Sequence, residues 1–271
     1  MLPTRPPAAG EGVLDQKFLL SGQDDSPNNY LVNVGRTGAG GWGTPRHRHT
    51  FDQIRYVLKG NYPVSKGMVM QEGTIAYFPE SVHYGPQDRP EGLEMMVCQF
   101  GGASGQGFLS VARREAANDA LKKKGDFKDG VFTYFDDKGQ RHNKDGSEAC
   151  YEHATGKKTV YSKPRYDGVV LMDPSAYDWM PQPAKGVFTK RLGTFTERNM
   201  RIGLVRLDQG AVFSGGTESS IELLFLSKGA VSVGGRDYGE RTAFEFLANE
   251  GPIPVKAQAP SEFLSIVLPK F

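Results

Sequence analysis

The chain has 271 residues, enough for one large domain or two modest ones, and its 33 Lys+Arg against 31 Asp+Glu leave a net charge of +2. That balance argues against a general nucleic-acid binder, which carries a dense basic face, and a 38% share of hydrophobic residues excludes wholesale disorder. With 34 Gly and 17 Pro, turns are frequent, which favours an all-β protein of short strands over a helical bundle.

In chain order, residues 1–28 read as an irregular arm rich in Pro, Gly and polar side chains. The arm has no apolar signal-peptide core, and no apolar run in the chain approaches the roughly 18–20 residues that span a bilayer. The expectation is therefore a cytoplasmic protein with neither a membrane nor a nucleic-acid partner. Residues 29–101 form the first β block, with short runs such as YLVNV, QIRYVLKG, TIAYFP and LEMMVCQF punctuated by Gly, Pro and Asn. Residues 102–185 read as a connector. Its one expected helix runs from Phe108 to Lys124 and stops at Gly125, and loops and hairpin-like turns follow. Residues 186–271 return to the β pattern, with five strand candidates.

The two β blocks share a phrase. LKGNYPVSKGMVMQEGTIAYFP can be laid beside LSKGAVSVGGRDYGERTAFEFL, each reading as strand, Gly, strand, turn, strand. This self-similarity predicts a duplicated β unit, hence two barrels joined by a connector with one helix. Cys98 and Cys150 lie far apart and outside any CxxC, which predicts free thiols.

Only five histidines occur, and three lie in the first block: His47, His49 and His83. His47 and His49 are two apart, so on a strand both imidazoles share a face, and Gln53 and Arg55 continue that parity. His83 follows a second strand and reaches the same point if the two strands are neighbours. Three neutral imidazoles meeting at one point make a first-row metal site, whereas the same pair on an ordinary strand is merely half-buried. Arg55 could pair with a substrate carboxylate or equally with Asp52 or a Glu on the barrel wall. Tyr77, Tyr84 and Gln99 are candidate pocket-lining residues, with a barrel-wall aromatic the simpler role for Tyr77. His142 and His153, in the connector, read as surface residues, and Glu218 and Glu222 as structural residues before they read as the mark of a vestigial second pocket.

TPRHRHTFDQIRYVLKG followed by GTIAYFPESVHYGP resembles the two signature motifs of the cupin superfamily. His47, His49, Gln53 and Gly60 match the first, with Gln53 in the usual Glu position. Gly73, Pro79, Ser81 and His83 match the second, with the histidine one residue early. The second block keeps only Glu222 and Gly229. The resemblance implies two jelly-roll (double-stranded β-helix) cupin barrels, the second degenerate and without metal ligands.

Within that superfamily the phrase around His47 is similar to gentisate 1,2-dioxygenases. That implies a dioxygenase with one divalent metal, Fe(II), on His47, His49 and His83, acting on a small anionic, oxygen-rich or hydroxylated aromatic substrate. Whether Gln53 ligates or only hydrogen-bonds behind the ligands is open at this point. The set is also similar to cupin isomerases and lyases of sugar acids, for which Zn, Mn or Ni serves as well. A non-catalytic binding cupin is the third possibility. A homodimer is a further expectation from the resemblance.

Overall fold

The computed structural model describes residues 14–128 and 130–271. Its centre is a pair of six-stranded antiparallel sheets. The first runs, in spatial order, through Leu14–Ser21, Tyr30–Thr37, Glu94–Gly101, Phe51–Lys59, Ile75–Phe78 and Val170–Met172. The second runs through Met180–Pro181, Val187–Phe195, Met200–Leu207, Ser261–Val267, Glu222–Lys228 and Ala243–Phe246. Both follow one connectivity: a hairpin, then the unit's last strand, then its central strand, then the strand after the central hairpin. The duplication expected from the sequence is thus present in the strand order.

The sheets are built from strands buried on both faces, which is why they read as nearly continuous apolar runs. On Phe51–Lys59, Ile54 and Tyr56 face one way, into a core shared with Leu192, Ile202, Phe225 and Leu264 of the second sheet. Val57 faces the other way, into a barrel closed by the short strands Tyr62–Ser65 and Met68–Met70. The second unit repeats this, with Leu224, Leu226 and Phe263 filling its own barrel. Each such side chain contributes about 1.5–3 kcal/mol on burial. Gly60 and Gly229 close the equivalent turns at φ +85° and +90°. A Cβ at Gly229 would lie 2.4 Å from the Pro260 carbonyl oxygen, so only glycine fits there.

Three expectations are corrected. The arm is not irregular throughout: Leu14–Ser21 pairs with the next strand from Leu14 opposite Thr37 to Ser21 opposite Leu31, and its Leu19 and Leu20 pack against the shared core; residues 1–13 lie outside the described residues. The connector holds two helices, α1 (Val111–Leu121) and α2 (Gly146–Thr155), with a three-stranded sheet between them. Gly125 is not the stop of α1 but the first residue of that sheet. Its end also rejoins the first sheet, with Val170 opposite Tyr77. Both cysteines are buried and free. No helix among the described residues is long and apolar enough to cross a membrane.

Candidate functional site

The lumen of the first barrel is set by strand parity. Gln53 and Arg55 lie on the same face of Phe51–Lys59 as Val57, so both enter the barrel, and both are almost wholly buried at 1% and 4% exposure. Gln99 stands opposite Gln53 in the neighbouring strand. The segment holding His47 and His49 pairs with the segment after Pro79: His47 and Tyr84 exchange backbone hydrogen bonds of 3.0 Å each, and Ser81 N donates to the His49 carbonyl at 2.7 Å.

That register brings Tyr84, and not His83, to the histidine pair. The His47 ring centroid lies 4.9 Å from His49 and 4.6 Å from Tyr84. His83 is exposed on the opposite side of its segment, beside Arg46 and Arg48. The expected trio of imidazoles is corrected accordingly: the chain is extended here, adjacent residues point to opposite faces, and the inward one is Tyr84. Tyr77 is corrected as well. It packs in the core shared by the two sheets, and its hydroxyl donates to Asp52 at 2.9 Å, away from the lumen.

Arg55 is the hub of the lumen. Its Nε and Nη2 donate to Gln53 Oε1 at 3.2 and 2.9 Å, and Nη1 donates to Gln87 Oε1 at 2.7 Å and to the Tyr62 hydroxyl. Nη2 also reaches the Tyr84 hydroxyl at 3.3 Å, and the guanidinium lies 4.2 Å over the Phe78 ring. Gln53 Nε2 donates to Tyr84 at 2.9 Å. Asp52 faces the other side of the sheet, so the alternative pairing of Arg55 with Asp52 does not form.

Beside His49 a cavity opens between the barrel and the connector. His49 and Gln99 line it from the barrel, with Arg48, while Arg114 of α1 and Tyr161 line it from the connector. Arg48 stacks on the Tyr161 ring at 3.7 Å. Burial, then the neighbouring His47, Arg55 and Arg114, hold the His49 imidazole well below its usual value and therefore neutral. His47 is also lowered, chiefly by burial. Its Nδ1 donates to the Pro45 carbonyl at 2.7 Å, which leaves Nε2 as the lone-pair nitrogen facing Gln87 at 3.5 Å.

A resident divalent metal of the three-histidine kind does not fit this set. Among the described residues no three His, Cys, Asp or Glu side chains converge. The atom of Gln53 that could ligate, Oε1, is already an acceptor for the guanidinium. The pair His47 and His49 is what remains of the expected ligand set.

In the second barrel Glu222 takes the place of Gln53, opposite Phe246 as Gln53 is opposite Phe78. It accepts from Ser265 Oγ at 3.3 Å, Glu218 is ion-paired with Arg201, and Leu224, Leu226, Phe246 and Phe263 pack in the same barrel. Connector histidines play no part in the site: His142 bonds Asp136 at 2.9 Å and His153 is exposed on α2.

Sequence alone missed Tyr62, Gln87 and the connector's contribution. The signal for the first two is weak, since the short strands carrying them have no motif. The one usable hint was the histidine standing one residue early in the second motif, which puts Tyr84 at the motif's own position.

No family model and no curated protein sequence matches the chain. Solved structures do. A candidate dioxygenase from Nostoc punctiforme superposes with a TM-score of 0.60 at 11% identity, over 99% of this chain and 78% of that one. Oxalate decarboxylase from Bacillus subtilis superposes at 0.53 and 13% identity, over 97% of this chain and 74% of that one. A substituted form of salicylate 1,2-dioxygenase from Pseudoaminobacter salicylatoxidans superposes at 0.51 and 15% identity, over 89% and 70%. Strand order, duplicated units and these superpositions agree: the fold is that of two cupin-type jelly-roll barrels joined by a connector.

Proposed function

We propose that the chain is an enzyme acting on a small anionic molecule, an oxygen-rich or hydroxylated aromatic acid, held at the mouth of the N-terminal barrel. The observation that carries this is the cavity over His49. It combines arginines from barrel and connector, the Tyr161 ring on which Arg48 stacks, the amide of Gln99 and an imidazole kept neutral, against one carboxylate, Glu148, in the wall. Guanidinium groups, one of them held in place by its stack on Tyr161, recognise a carboxylate, and a neutral imidazole can accept a proton from a hydroxyl. Oxalate and salicylate, the acids in the names of two similar structures, belong to this class.

The test is calorimetric titration of the purified chain with oxalate, salicylate and galacturonate, beside Arg48→Met and His49→Ala. At least one acid should bind, and each substitution should weaken it about tenfold or more. An unbound panel, or variants that bind as tightly as the parent, would sink the proposal.

A second reading keeps the metal. The His47–His49 pair, with rings 4.9 Å apart, supports a dioxygenase whose Fe(II) is held together with a chelating substrate. Oxygen uptake by Fe(II)-supplemented protein with hydroxylated aromatic acids separates this reading from a sugar-acid isomerase or lyase, which consumes no oxygen.

A further inference from the structure

A guanidinium has five N–H donors. All five of Arg55 are used inside the first barrel, and every acceptor is neutral: Gln53 Oε1 twice, Gln87 Oε1, and the hydroxyls of Tyr62 and Tyr84. Burial pushes the Tyr84 hydroxyl up to about 12, so that acceptor is a neutral phenol. No ion pair of Arg55 or of the neighbouring Arg89 occurs among the described residues. Arg89 lies 5.6 Å from the Tyr62 ring, and its Nε is buried without a partner. A buried charge is ordinarily compensated by an opposite one. Here the compensation stops at dipoles.

The guanidinium also dictates how the two amides face. Since it consumes both carbonyl oxygens, Gln53 and Gln87 must turn their NH₂ groups the other way. Gln53 Nε2 reaches Tyr84 at 2.9 Å, and Gln87 Nε2 lies 3.5 Å from His47 Nε2. The reverse orientation would set N–H against N–H at Arg55. The side of the lumen toward His47 therefore offers the Gln87 amide donor, and beside it the Tyr84 hydroxyl bonded by Gln53, backed by a full positive charge. A metal ion at the histidine pair would meet those donors and that charge, whereas an oxyanion would meet complementary groups.

We infer that Arg55 is the resident cation of the N-terminal barrel, standing where a metal ion would, and that the donor face it organises is a receptor for a small oxyanion, a carboxylate above all. This rests on the small-acid reading of the adjoining cavity, whose His49 ring lies 4.9 Å from His47, and supplies the origin of its charge preference.

The experiment has two arms. In the first, the unsubstituted chain is incubated with Mn(II), Fe(II) or Zn(II), desalted and assayed for metal. Retention should be far below one equivalent, and metal held at one equivalent through His47 and His49 overturns the inference. In the second, oxalate and salicylate are titrated in the presence of EDTA. Binding should persist in the parent, fall about tenfold or more in Arg55→Met, and be intermediate in Arg55→Lys, which retains the charge but supplies three donors where the guanidinium uses five. If Arg55→Met binds as the parent does while Arg48→Met and His49→Ala lose binding, the small-acid site stands and the resident cation falls. If the parent binds neither acid, both fall. Should Arg55→Met not fold, the metal arm and Arg55→Lys decide: an Arg55→Lys chain that gains a full equivalent of metal, or loses acid binding as completely as His49→Ala, counts against the inference.

Discussion

His83 and Tyr84 are adjacent in the chain but face opposite sides of the barrel wall. The backbone exchange between His47 and Tyr84 fixes which one turns inward, so His83→Ala removes an exposed ring and nothing else. We expect it to shift stability by less than about 0.5 kcal/mol in urea denaturation and to leave acid binding unchanged. A three-histidine centre would predict loss of the ligand instead. Tyr84→Phe is the contrasting case. It deletes an acceptor used by Gln53 and Arg55 at 2.9 and 3.3 Å, leaving buried donors short of a partner at a cost of about 1–3 kcal/mol. The shared face of Gln53 and Arg55 was legible because period-two alternation follows directly from a strand, whereas His47 and His49, expected on a strand, stand before Phe51–Lys59 begins, His47 in an isolated bridge to Tyr84. The inward residue after Pro79 was not legible, because a one-residue offset in an extended segment exchanges one face for the other, and a histidine stood beside the true position.

At the scale of elements, the connector is pinned rather than merely appended. Glu80, at the end of the Ile75–Phe78 segment, is almost fully buried. It accepts from Ser104 N at 2.9 Å and from Arg165 of the connector at 2.7 Å, and Arg165 continues to Glu197 of the second unit. Arg165→Met leaves the Glu80 carboxylate with Ser104 alone and should cost about 2–3 kcal/mol, less than a fully enclosed pair because the arginine is part-exposed. Comparison of Arg165→Met with a Glu80→Gln, Arg165→Met double variant checks this, since the second substitution should restore part of the loss. Helix α2 went unread because its core side is two small residues, Ala149 and Cys150, with little apolar periodicity. Its Asp145 cap with Glu148 in the first turn, and its Gly156 stop at φ 67° after His153, were the local signals. The Leu14–Ser21 strand was hidden for another reason: an edge strand needs one apolar face only, and this one sits next to a Pro-rich stretch.

Across the whole molecule, the two β units share one core, from Tyr30 and Ile54 on one side to Ile202 and Leu264 on the other, so neither sheet has an independent outer face there. Calorimetry should therefore give one unfolding transition, and two separated ones would show the units to be independent. Two buried carboxyls make that transition pH-dependent. Burial raises Asp52 from its ordinary 3.8 to about 7, opposed by donors from Glu80 N and Tyr77. Burial, then Glu218, raises Glu222 from 4.5 to about 7. A carboxyl whose value is higher in the folded chain binds more protons folded than unfolded between its two values. Its contribution is then fully present below about pH 4 and is lost as pH rises toward 7, by an amount of the order of a few kcal/mol for the pair. Stability measured by urea denaturation should decline over that window, after which both groups are ionised in either state. Asp52→Asn and Glu222→Gln should each flatten part of the decline, and the double variant most of it. Asp52 sits between the two sheets whereas Glu222 sits inside the second barrel, with no shared partner, so the two effects should add to within about 0.5 kcal/mol. A pH profile that the double variant leaves unchanged would mean that both carboxyls are ionised in the folded chain and that their burial is compensated by charge.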